Sequence, residues 1–100
     1  MEKRSPHYDL ARIQADVKRL GVAAFTKTAI DGGRAMGLTS AEMLTVIASL
    51  SRRDFFKSMT TYADHRVWQD VYHAATPVRK EAYIKVTLRD GAPVIQFKEK

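Results

Sequence analysis

The chain contains no cysteine. That absence removes disulfides, thiolate nucleophiles and the usual structural zinc sets together, and it fits a reducing compartment. Long apolar runs are missing as well: the greasiest stretch, MLTVIASL, is too short to cross a bilayer. The N-terminal MEKRSPHYDL has no apolar segment after its basic residues and does not read as a secretory signal, so a cytoplasmic protein with no membrane partner is expected. There is no Gly-rich phosphate loop, no G-x-S-x-G and no H-E-x-x-H. Histidines are few, and His65 and His73 with Asp64 and Asp70 match no metal-binding spacing, so neither a metal nor a cofactor is expected.

What is present is a basic, ordinary globular composition. A length of 100 residues with 45% apolar content predicts one domain over residues 1–100, not a disordered tail. So small a domain has little room for an enclosed substrate cavity, which points to an open groove. The net charge of +6 is uneven: residues 1–50 hold seven basic and five acidic side chains, residues 51–100 ten and six. A basic second half favours a polyanion, through counterion release and steering, and an acidic protein would satisfy the same charge.

The first half reads as helical. Ser5 and Pro6 suggest a helix cap followed by proline in the first turn, and Leu10, Ile13, Val17 and Leu20 keep helical spacing up to Gly21. Val22 to Phe25 suggests a short strand, and Thr26 or Thr28 a cap for a helix through Ala35 that Gly32-Gly33 would weaken. Thr39 and Glu42 spell a capping box, ahead of an apolar face of Met43, Val46, Ile47 and Leu50.

The second half reads as sheet. Val67 to His73 is β-branched and aromatic with apolar residues on both faces, as befits an interior strand in which Gln69 or Asp70 is held by structured surroundings. In AYIKVTLRDGAPVIQFKEK, Ile84, Val86 and Leu88 alternate with polar residues up to Asp90-Gly91, a hairpin turn. A two-residue turn pairs Ile84 with Phe97 and Val86 with Ile95, and puts Tyr83, Lys85, Gln96 and Lys98 together on the other face. Pro93 suggests that the last strand is an edge. The fold class is therefore α+β, with N-terminal helices packed on a mostly antiparallel sheet.

A basic face carrying tyrosine, lysine and glutamine has a chemistry open to it. Metal-free RNA cleavage needs a group to take the 2′-hydroxyl proton, one to protonate the 5′-oxygen, and cations around the phosphorane, while the substrate supplies its own nucleophile. The same residues also suit a non-catalytic module that binds RNA or an acidic protein, and composition and spacing leave both open.

The string DFFKSMTTYADHRVWQDVYH, with N-terminal MEKRSPH and terminal FKEK, resembles the motility quorum-sensing regulator (MqsR) toxins of bacterial toxin–antitoxin systems. The resemblance is collinear over essentially the whole chain. It implies a RelE-like toxin or microbial RNase-like fold and an mRNA interferase that cuts messenger RNA at GCU-like sites without a metal. It also implies a cognate zinc-binding antitoxin through which alone promoter DNA is contacted, and ties to autoregulation, persistence and biofilm formation. The family's catalytic set falls on Lys57, Gln69, Tyr83 and Lys98. Lys85, Arg66 and Tyr62 are the expected RNA contacts.

Overall fold

A computed structural model describes all residues, 1–100. Three helices, α1 (Leu10–Leu20), α2 (Lys27–Met36) and α3 (Ser40–Ser49), cover one face of a five-stranded antiparallel sheet. Its strands are β1 (Glu2–Lys3), β2 (Phe55–Thr60), β3 (Trp68–Ala75), β4 (Glu81–Arg89) and β5 (Ala92–Glu99), in spatial order β1-β2-β3-β4-β5. The α+β expectation holds, with β3 interior and β5 at an edge as read from the sequence.

Period-two alternation decides what each face carries. Tyr72, Ala74, Ala82, Ile84, Val86, Ile95 and Phe97 point toward the helices and join Ile13, Val17, Met43 and Ile47 in one core. The capping box of α3 forms as expected: the Thr39 side chain accepts from Glu42 N–H and the Glu42 carboxylate accepts from Thr39 N–H. Asp90 and Gly91, with φ of 51° and 77°, close the β4–β5 hairpin in the left-handed conformation that a two-residue turn requires. The pairings Ile84–Phe97, Val86–Ile95, Tyr83–Lys98 and Lys85–Gln96 all occur.

Two local expectations fail for identifiable reasons, and one expected strand shifts its bounds. The first helix is not capped by Ser5-Pro6; it starts at Leu10, and Asp9 is the cap, accepting from Ala11 N–H. The residues between are withheld from the helix because the N–H groups of His7 and Tyr8 donate to the carboxylate of Asp70. Val22 to Phe25 is not a strand: Gly21–Ala24 is a 3₁₀ turn after Gly21 at φ 64°, and only Phe25 bridges to Ile95. The strand expected over Val67 to His73 begins at Trp68 and continues to Ala75.

The glycines that argue against α2 from sequence are what allow it to dock. A Cβ at Gly32 would run into the Phe97 carbonyl oxygen, and one at Gly33 into the Met43 side chain. With Thr26 as cap, α2 therefore lies close against β5, and the Thr26 N–H donates to the Ile95 carbonyl. The exposed edge of the sheet is thereby covered.

Candidate active site

The face of the sheet away from the helices carries the predicted residues, and strand register shows how. One row crosses β2, β3, β4 and β5 as Lys57, Val71, Lys85 and Gln96. The next row toward the strand end that bears His73 is His73, Tyr83 and Lys98. In the opposite direction Met59 faces Gln69 on one side and Glu2 of β1 on the other. Lys57, Gln69, Tyr83 and Lys98 thus share one face, arranged around the wholly buried Val71.

Lys57 reaches this face through an irregularity. The β2–β3 register shifts between Phe55 and Lys57, leaving Phe56 as the bulged residue. Phe55 turns inward to meet Tyr72 edge-on, and Phe56 stacks on His73 with ring centres 4.4 Å apart. Tyr72 is core, and its hydroxyl is pushed up to about 12, chiefly by burial, with Asp70 adding to the shift.

Cations define the electrostatics. The Lys98 ammonium stands 5.4 Å from the Tyr83 ring centre and that of Lys85 5.9 Å from it, so two positive charges lie close to the ring. The six ion pairs of the protein leave Lys85 and Lys98 without an acidic partner. Lys57 is different: its ammonium is bound to the Glu2 carboxylate at 2.5 Å, and that hydrogen bond and charge hold Glu2 below the usual carboxylate range. Tyr83, Lys85, Gln96 and Lys98 line a depression of about 290 Å³ with Thr26 and Thr28 at the start of α2.

His73 was not among the expected site residues, yet it lies under this face. Its ring is held between Phe56 and Tyr83, 5.3 Å from the latter, and its buried Nε2 has no hydrogen-bond partner. Burial lowers its pKa, Lys100 lowers it further and Glu81 opposes them. The signal was available, since His73 has the parity of Gln69 and Val71 on β3.

The remaining expected contacts divide. Lys85 lies within the site, and Tyr62 stands wholly exposed on the 61–67 connection at the rim of a neighbouring groove. Arg66, on the same connection, is turned back onto Asp64, which it contacts at 3.1 and 3.2 Å. Asp70, adjacent to Gln69, faces the other way and serves the fold by receiving the N-terminal segment. Trp68 also holds that segment: His7 stacks on its ring, the Lys3 ammonium lies 4.3 Å from the ring centre, and its carbonyl accepts from the Tyr8 hydroxyl.

The sequence profile of the family described as "Motility quorum-sensing regulator, toxin of MqsA" matches residues 5–99. The chain is 41% identical over 100 residues to the mRNA interferase toxin MqsR of Escherichia coli (strain K12), and the match covers the full length of both chains. No helix is long and apolar enough to cross a membrane. A face of lysines, tyrosine and glutamine at the positions expected from the KSMTTY and WQDVY segments, within a match over nearly the whole chain, places this protein in the family of motility quorum-sensing regulator toxins.

Proposed function

We propose that this protein is an endoribonuclease toxin that cleaves messenger RNA at GCU-like sites without a metal, arresting translation and growth. A cognate antitoxin with a zinc-binding N-terminal domain neutralises it, and promoter DNA is contacted only through that antitoxin. The E. coli relative carries the name mRNA interferase toxin, and the site supports the same reading here. The observation that carries it is the closeness of the Lys85 and Lys98 ammonium groups, 5.9 and 5.4 Å from the ring centre, to Tyr83 on an open sheet face.

The chemistry follows from that arrangement. The 2′-hydroxyl of the substrate attacks the adjacent phosphorus and loses its proton, and the 5′-oxygen leaves and gains one. The products are a 2′,3′-cyclic phosphate and a 5′-hydroxyl. Lys57 and Lys98 neutralise the pentacoordinate phosphorane, and Tyr83 exchanges a proton with a reacting oxygen. Gln69 supplies hydrogen bonds that position the RNA. The Glu2 carboxylate occupies Lys57 in the free protein, so an RNA phosphate displaces it on binding.

The test is incubation of the purified chain with ribosome-free RNA containing GCU sites, in EDTA. Fragments ending in 2′,3′-cyclic phosphate at GCU sites support the reading. Intact RNA after incubation with folded protein contradicts it.

A further inference from the structure

The largest depression lies beside Tyr83 and Lys98 and overlaps the site at Gln69 and Lys85. It is a groove of about 900 Å³ between the β3–β4 surface and the 61–67 connection. That volume lies near the upper end for small-ligand pockets, which run from about 300 to 1,000 Å³. Its β4 wall is polar and cationic, since Lys85, Thr87 and Arg89 alternate onto one face. The opposite wall is apolar and aromatic, with Met59, Val67 and the exposed Tyr62. Three acidic residues line it: Glu2 is committed to Lys57 and Asp64 to Arg66, while Asp90 sits at the β4–β5 turn without an ion pair.

Gln69 lies on the floor. It is half-buried, and its side-chain amide makes no hydrogen bond within the protein, while its backbone carbonyl accepts from the Ser58 hydroxyl. A half-buried amide with donor and acceptor both unused, between a row of cations and an exposed tyrosine, matches the needs of an unstacked nucleobase: an edge to bond, a ring to stack on and charges for the flanking phosphates. Gln69 is four residues along β3 from His73, which faces Tyr83. That is about 13 Å of strand, so the amide meets a nucleotide beside the scissile phosphate and not the phosphate itself. Lys85 lines both depressions and joins them into one track.

We infer that the groove between β3–β4 and the 61–67 connection is the base-reading subsite of the nuclease, with Tyr62 as stacking platform and Gln69 bonding the edge of an extruded base. This rests on the nuclease reading above and adds to it where specificity resides. Gln69 thereby acts in recognition, and Lys57, Tyr83 and Lys98 in the bond-breaking step.

The test is a titration of fluorescein-labelled, 2′-O-methyl single-stranded RNA bearing one GCU, which cannot be cut at the blocked hydroxyl. It compares wild type with Tyr62→Ala, Tyr62→Phe and Gln69→Ala. Tyr62→Ala is expected to weaken binding about tenfold and Tyr62→Phe, which keeps the stacking face, by no more than about twofold. Gln69→Ala is expected to reduce the preference for GCU over a scrambled oligomer about tenfold. Wild-type affinity and preference in both alanine variants would overturn the inference. So would a Tyr62→Ala protein that binds RNA normally but no longer binds its antitoxin, since the groove would then belong to a protein partner. The titration needs no cleavage. A parallel digestion of the unmodified RNA separates the two readings: Tyr62-dependent binding with no cutting of that RNA by wild type would sink the nuclease reading alone, whereas normal cutting at unchanged sites by Tyr62→Ala would sink the subsite alone.

Discussion

Lys98 and Tyr83 face each other across the β4–β5 ladder, with the lysine ammonium 5.4 Å from the centre of the tyrosine ring. Lys85, two residues from Tyr83 on the same strand, also lies near the ring, its ammonium 5.9 Å from the ring centre. A phosphate drawn in by these charges arrives beside a phenolic hydroxyl, which is the one arrangement on this face that joins charge neutralisation to proton transfer.

The contact between Glu2 and Lys57 is a competitor of the substrate. Glu2→Gln removes the carboxylate and leaves Lys57 free to meet a phosphate. RNA binding is expected to tighten at low salt, and the slope of log affinity against log salt to steepen by about one phosphate contact. Fluorescence anisotropy over a salt series measures both. An unchanged slope would mean that Lys57 does not bind phosphate.

His73 gives the fold a pH dependence. Burial and Lys100 depress its folded pKa below the unfolded value near 6.5. The unfolded chain therefore binds the proton more readily: full stability is present above about pH 6.5 and is lost as pH falls from there through the folded value. Replacing His73 by Gln removes that contribution. The gap in urea midpoint between pH 7 and pH 5 is expected to be smaller in His73→Gln than in wild type. Equal gaps would show that His73 is not the group responsible.

Gly32→Ala sets two effects against each other. In an open helix interior alanine would gain about 1 kcal/mol over glycine. Here the new Cβ meets the Phe97 carbonyl oxygen, a backbone atom in the strand that carries Lys98, and overpacking of this kind costs about 1–3 kcal/mol. The clash wins, because neither α2 nor β5 can yield without breaking the edge contact. A thermal midpoint several degrees lower is expected, about 4–8 °C for each kcal/mol lost at this size. A raised midpoint would show that α2 sits further from the sheet.

The parts of this fold that were legible in the sequence are those fixed by local rules. The β4–β5 hairpin follows from Asp90-Gly91 and strict alternation, and its parity placed Tyr83, Lys85, Gln96 and Lys98 on one face. The cap of α3 follows from Thr39 and Glu42. Strand β2 was not legible because the bulge at Phe56 breaks the alternation of FFKSMT, so nothing local showed that Lys57 would join the same face. The late start of α1 depends on Asp70, more than sixty residues away, taking the N–H groups of His7 and Tyr8. Gly32 and Gly33 mislead for a similar reason: their propensity argues against a helix, and only tertiary packing shows why they are there. The position of His73 beside Tyr83 needed the β3–β4 register, which no turn signal between them fixes.

The most direct measurement is the rate at which purified wild-type protein and a Tyr83→Phe, Lys98→Ala double variant cut a ribosome-free RNA with a single GCU site in EDTA, with circular dichroism to verify that both are folded. Wild type is expected to release one pair of fragments ending in 2′,3′-cyclic phosphate and 5′-hydroxyl, and the double variant to cut at least about a hundredfold more slowly. Equal rates from the two folded proteins would place the chemistry somewhere other than the face that Tyr83 and Lys98 share.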